Sequence, residues 1–143
     1  MSLTAAHVKA KALELGFDLC GIAPAADLPE LAALRAWLDR GYAGTMGWLH
    51  RSADRRRDVR RVMPSARTVI VTGTNYNTDR PPSVACRDPN RAQISRYAWG
   101  DDYHIVLGER LDALLTWMRS AAPEPFEARA YVDTGPVQER VYA

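Results

Sequence analysis

The residues with the clearest capacity for chemistry lie in two short stretches, Ile94-Ser-Arg-Tyr-Ala-Trp-Gly-Asp-Asp-Tyr-His104 and Tyr131-Val-Asp-Thr-Gly-Pro-Val-Gln-Glu-Arg140. Asp133 closes a strand-like run and precedes Thr-Gly-Pro, a spacing that allows a carboxyl in a cleft, partly withdrawn from water, where it suits a general acid. The commoner use of such a residue is to cap the following helix or close a turn. Tyr103 and His104 fall in the first turn of a predicted helix, where phenol and imidazole can relay protons to a ligand. The ordinary alternative is a packed tyrosine and a surface histidine. Asp101 and Asp102 stand where negative charge suits a helix N-terminus. Each stretch runs from strand-like residues through a glycine turn into a helix start, and two such junctions can converge at one edge of an open α/β sheet.

Charge adds a second candidate. Lysine occurs only at Lys9 and Lys11, so 17 of the 19 basic residues are arginine, and six of these lie between Arg51 and Arg61. Such a cluster can grip phosphates, although a run of this kind is more often a solvated face. The net charge of +2 is too small to demand a polyanionic partner. No P-loop, Gly-x-Gly-x-x-Gly, His-Glu-x-x-His or nucleophile elbow is present. Cys20 and Cys86 stand alone in unrelated contexts and indicate neither a disulfide framework nor a metal-binding pair.

The elements that must position these residues follow from periodicity and punctuation. Thr4 as N-cap, apolar Ala5, Val8, Ala12 and Leu15, and the stop at Gly16 predict a helix over 4–15. A buried strand over 17–23 ends at Pro24. Asp27-Leu-Pro-Glu30 has the form of a capping box, and Leu31, Leu34 and Leu38 carry a second helix to Gly41. Residues 42–50, with two glycines and two large aromatics, read as a turn over the core, and 51–61 as a short surface helix or turn. Arg67-Thr-Val-Ile-Val-Thr-Gly73 has the β-branched run of an interior strand. Residues 77–92, with three prolines and no apolar period, form a loop. Leu107, Leu111, Leu114, Leu115 and Met118 make the apolar stripe of a helix over 103–119. A last strand covers 126–133, and Pro136 opens a final helix.

At 143 residues and 47% hydrophobic content, the chain has the size of one domain. The expected fold class is α/β: a single layered domain over 1–143, with a mixed sheet flanked by helices. The chain stops one turn into its final helix, which points to the N-terminal part of a longer protein. No apolar run approaches eighteen residues and no signal-peptide layout opens the chain, so the expectation is a cytoplasmic location with no membrane contact.

The constellation of Arg56-Arg-Asp-Val, Pro64 ahead of Val-Ile-Val, Ser95-Arg-Tyr-Ala-Trp-Gly-Asp-Asp-Tyr-His104 and Val132-Asp-Thr-Gly-Pro-Val-Gln-Glu-Arg140 closely resembles the N-terminal domain of epoxyqueuosine reductases, relatives of the reductive dehalogenases. The resemblance spans nearly the whole chain. It implies a cobalamin-facing domain of an enzyme that uses cobalamin and two [4Fe-4S] clusters to reduce epoxyqueuosine to queuosine at the wobble position of tRNA. By that resemblance Asp133 matches the proton donor, and Tyr103 and His104 match residues near the upper cobalamin face. Arg56, Ser95 and Asp133 match positions that contact the corrinoid. The cluster cysteines of the family match nothing in these 143 residues, and Gln138 stands where leucine is common. The resemblance implies a monomer with tRNA as partner and leaves the electron donor unassigned. A different class of protein, a corrinoid- or flavin-binding module related to reductive dehalogenases that does not act on tRNA, fits the same motifs.

Overall fold

A computed structural model describes residues 3–143. Helix α1 (Ala5–Glu14) begins where the Thr4 hydroxyl accepts from the His7 N–H, and it ends where Gly16 adopts φ +91. The chain turns into β1 (Leu19–Pro24), which pairs antiparallel with β2 (Thr68–Gly73) in a register that sets Gly21 opposite Val71 and Ala23 opposite Val69. Because side chains alternate across a strand, this register gives the sheet two apolar faces. Ala23, Val69 and Val71 pack on a cluster of Ala25, Leu31, Val59 and Tyr142. Cys20 meets the other cluster, Ala12, Phe17 and Leu114. The sheet is thus the middle layer.

On the Cys20 side lie α1 and the long α4 (Tyr103–Ala121), whose Leu107, Leu111 and Leu114 stripe is the one predicted. The Arg110 guanidinium donates to the Gly16 carbonyl at 2.7 Å and so ties α4 to the end of α1. On the opposite side, a short 3₁₀ turn (Pro29–Ala32) leads into α2 (Ala33–Asp39), and α3 (Gly47–Arg56) packs on α2 through Leu38, Ala43 and Ala53. The one-turn α5 (Glu139–Tyr142) buries Tyr142 against the sheet. No helix among the described residues is long and apolar enough to cross a membrane.

The α/β class holds, with three corrections of detail. Among the described residues the sheet is a two-stranded antiparallel pair rather than a mixed sheet, because residues 126–133 run without a ladder partner and the run from Ile94 forms a 3₁₀ turn at Arg96–Ala98. Each strand therefore pairs on one side only. Asp27 does not cap a helix: the 3₁₀ turn starts after Leu28 with no side-chain cap, and the Asp27 carboxylate pairs with Arg57. The segment read as a turn over 42–50 becomes helical from Gly47. The arginine-rich run that follows is the end of α3 and a 3₁₀ turn at Val59–Arg61 capped by Asp58.

Candidate functional site

The two chemically suggestive stretches meet through a hydrogen bond between Tyr103 and Asp133. Gly100 turns the chain at φ +86, and α4 then starts because the Asp102 carboxylate accepts the backbone N–H of His104 at 2.9 Å. The same oxygen lies 2.9 Å from Nδ1 of the His104 ring. That backbone N–H first, and the ring second, hold the Asp102 carboxyl below the usual carboxylate range. An ionised carboxylate can only accept, so the proton of a neutral His104 ring sits on Nδ1 and leaves Nε2 as an acceptor.

On the facing stretch, the Thr134 N–H donates to the Val132 carbonyl at 2.6 Å and closes a three-residue turn around Asp133, whose φ is +57. A three-residue turn with positive φ at its centre is the rarer, strained hand. Asp133 is the one non-glycine residue with positive φ among the described residues, and aspartate tolerates that region better than most. Two residues on, Gly135 lies against the Tyr131 ring, and a Cβ there would fall 2.4 Å from Tyr131 Cγ. The turn therefore depends on both residues.

The Tyr103 hydroxyl donates to the Asp133 carboxylate across the gap between α4 and this turn. That bond, chiefly, pushes the phenol up to about 12, so Tyr103 stays protonated through the neutral range and acts as a donor rather than a base. Its ring stacks on His104 with centroids 4.1 Å apart. It also meets Tyr97 edge-to-face at 5.9 Å, and Tyr97 meets Tyr76 at 6.5 Å. Tyr76 and Tyr97 are 62% and 53% exposed, and neighbouring Ile105 is 62% exposed. The result is an open aromatic surface with a carboxylate at its margin. Asp133 is itself exposed, so the described residues form no cleft around it, nor does it cap α5, whose N-cap is Gln138.

The other two candidates sit differently. Arg56, in the last turn of α3, donates from Nε to the Ser52 hydroxyl and from Nη1 to the Val137 carbonyl, both at 3.0 Å, and its guanidinium lies 5.3 Å over the Trp48 ring. It reaches the Asp133 stretch through backbone. Ser95 is exposed at the start of the 3₁₀ turn that carries Tyr97, and its hydroxyl makes no capping bond there. Arg96 fastens this turn to the 77–92 loop, donating to the Asn77 side chain and the Arg80 carbonyl. The stacking partner Tyr97 and the amide clamp of Gln138 escape sequence reasoning. Tyr97 lies six residues before Tyr103, a spacing that says nothing about ring contact when a turn intervenes.

The family model for "Epoxyqueuosine reductase QueG, DUF1730" matches residues 56–134, which hold Ser95, Tyr103, His104 and Asp133. A curated epoxyqueuosine reductase of Gloeobacter violaceus is 47% identical over the whole of this chain, which covers 43% of that protein. Among solved structures, a selenomethionine-labeled epoxyqueuosine reductase superposes with a TM-score of 0.77 at 26% identity, over 96% of this chain and 36% of its own. An epoxyqueuosine reductase with a tRNA-Tyr epoxyqueuosine-modified stem loop shares the fold at a TM-score of 0.72 and 23% identity, again over 96% of this chain and 36% of its own. The chain spans less than half the length of the curated relatives it matches. With more than half of its residues under the family model, the chain belongs to the epoxyqueuosine reductase family.

Proposed function

We propose that the chain is the N-terminal, cobalamin-facing part of a cytoplasmic, monomeric reductase that converts epoxyqueuosine to queuosine at the wobble position of tRNA. The observation that carries this reading is the Tyr103–Asp133 hydrogen bond at the margin of an exposed aromatic surface. Loss of an epoxide oxygen as water consumes two electrons and two protons. In this reading Asp133, carrying a proton before the reaction, delivers it to the departing oxygen, and the Tyr103 phenol orients its carboxyl. His104, held by Asp102 and stacked on Tyr103, adds an Nε2 acceptor to the same surface.

The residues present fit a corrinoid. Tyr76, Tyr97, Tyr103 and His104 offer an exposed surface of ring faces and edges on which a macrocycle can rest, and Nη2 of Arg56 and the Ser95 hydroxyl are donors for its peripheral amides. When bound, cobalamin supplies the reducing electrons. The two [4Fe-4S] clusters do not fit this chain, since each needs four thiolates and only Cys20 and Cys86 are available. They belong to the remainder of such an enzyme.

The reading is tested by titrating cob(II)alamin into this chain and into a version extended through the cluster-binding region, followed by absorbance. The expected result is a corrinoid spectrum retained by the extended protein on gel filtration. A spectrum that never departs from free cobalamin overturns it. Retained cobalamin without affinity for a tRNA anticodon stem loop would instead mark a carrier related to reductive dehalogenases.

A further inference from the structure

We propose that Gln138 is a positioning residue: its side-chain amide sets the stance of the Asp133 turn against α3 and so holds Asp133 in reach of Tyr103. The geometry is specific. The Gln138 amide nitrogen donates one N–H to the Leu31 carbonyl and the other to the Arg56 carbonyl, both at 3.0 Å. Leu31 is 1% exposed, and Arg56 is the last residue of α3, whose terminal carbonyls have no partner within the helix. One planar group thus bridges the 3₁₀ turn at Pro29–Ala32 and the end of α3.

The bridge matters because of what lies on either side of it. Arg56, whose carbonyl Gln138 engages, also donates through its guanidinium to the Val137 carbonyl. The two residues therefore close a reciprocal loop, Arg56 side chain to 137 backbone and Gln138 side chain to 56 backbone. That loop fixes the C-terminal end of the segment 133–138, and the packing of Gly135 on Tyr131 fixes its middle. Asp133 is then held at a backbone angle it would not choose alone. A leucine at 138 fills similar space but donates to neither carbonyl.

This inference rests on the role proposed for Asp133, but its test reads geometry without turnover. Tyr103 is labelled at the tyrosine ring carbon Cζ and titrated by NMR, with Tyr103→Phe identifying its resonance. In the native chain the phenol is pushed up to about 12, first by the hydrogen bond to Asp133 and then by loss of solvation, with the charges of Asp133, Tyr97 and Asp102 adding to the shift. In Gln138→Leu the titration moves toward the ordinary tyrosine value near 10, while circular dichroism keeps its helical signal. Gln138→Glu, isosteric but ionised over this range and facing two carbonyls, gives the same displacement. If both variants fold and Tyr103 titrates as in the native chain, Gln138 has no positioning role. If the displacement appears but Asp133→Asn leaves turnover of the longer enzyme intact, the clamp stands and the catalytic reading falls.

Discussion

The phenol of Tyr103, in the first turn of α4, donates to the carboxylate of Asp133, thirty residues further along the chain. The phenol is raised above its ordinary value, so this hydrogen bond stabilises the fold below pH 10 and ceases to do so as pH climbs through about 12. Melting temperatures measured from pH 9 to 12 should therefore fall more steeply for the native chain than for Tyr103→Phe.

Asp133→Asn separates chemistry from architecture. Asparagine also tolerates positive φ and keeps an acceptor for Tyr103, so the melting temperature should hardly change. In the longer enzyme, turnover should drop about a hundred- to ten-thousandfold, the usual contribution of general acid catalysis. Asp133→Ala should in addition lower stability by about 1 kcal/mol, since alanine resists that backbone angle. Normal turnover in the asparagine variant would remove Asp133 from the mechanism.

Asp102 predicts behaviour in acid. Its carboxyl is depressed by the His104 backbone N–H, so its capping is present above the ordinary aspartate value and lost as pH falls through the lowered one. Asp102→Ala should melt earlier at pH 7, and the gap from the native chain should narrow as pH falls below the ordinary aspartate value. A gap that stays constant in acid would assign the effect to packing instead.

The arginine run divides into two kinds. Arg60 chelates Asp58 through Nε and Nη2, whereas Arg51 and Arg55 are exposed and form no ion pair among the described residues. Replacing Arg51 and Arg55 with alanine should weaken tRNA binding and lower its salt dependence by roughly one unit of slope for each phosphate that goes unneutralised. Arg60→Ala should change the slope little. Equal slopes for all variants would place the RNA on another face.

Gly135→Ala should destabilise the chain by about 1–3 kcal/mol, because the new methyl meets Cγ and Cβ of Tyr131, which cannot swing away as a side-chain tip could. Thermal denaturation of Gly135→Ala alone and combined with Tyr131→Ala checks this. The double variant should recover part of the stability.

Legibility from sequence follows how local each cause is. The caps at Thr4 and Asp102, the glycine stops at Gly16 and Gly41, and the leucine stripe of α4 are written within a turn or two, and the structure keeps them. The strand expected over 126–133 has the right residues but depends on a neighbour to pair with, and none among the described residues pairs with it. Asp27 fits a capping box, yet Arg57, thirty residues away, takes its carboxylate. For the site, Asp133, Tyr103 and His104 are legible as types near glycine turns. That Tyr97 joins them, or that Arg56 reaches Val137, rests on meetings between distant segments that no spacing encodes.

Among the described residues neither outer margin of the two-stranded sheet has a ladder partner, so each strand can offer its outward N–H and C=O groups to an extended segment nearby. Leu19, 71% exposed at the head of β1, makes that margin sticky as well as unpaired. Kept by itself at high concentration, the domain is thus a template for strand addition between molecules. Cold, dilute handling, or a lysine in place of Leu19, should preserve it in solution where the native chain slowly forms β-rich aggregates.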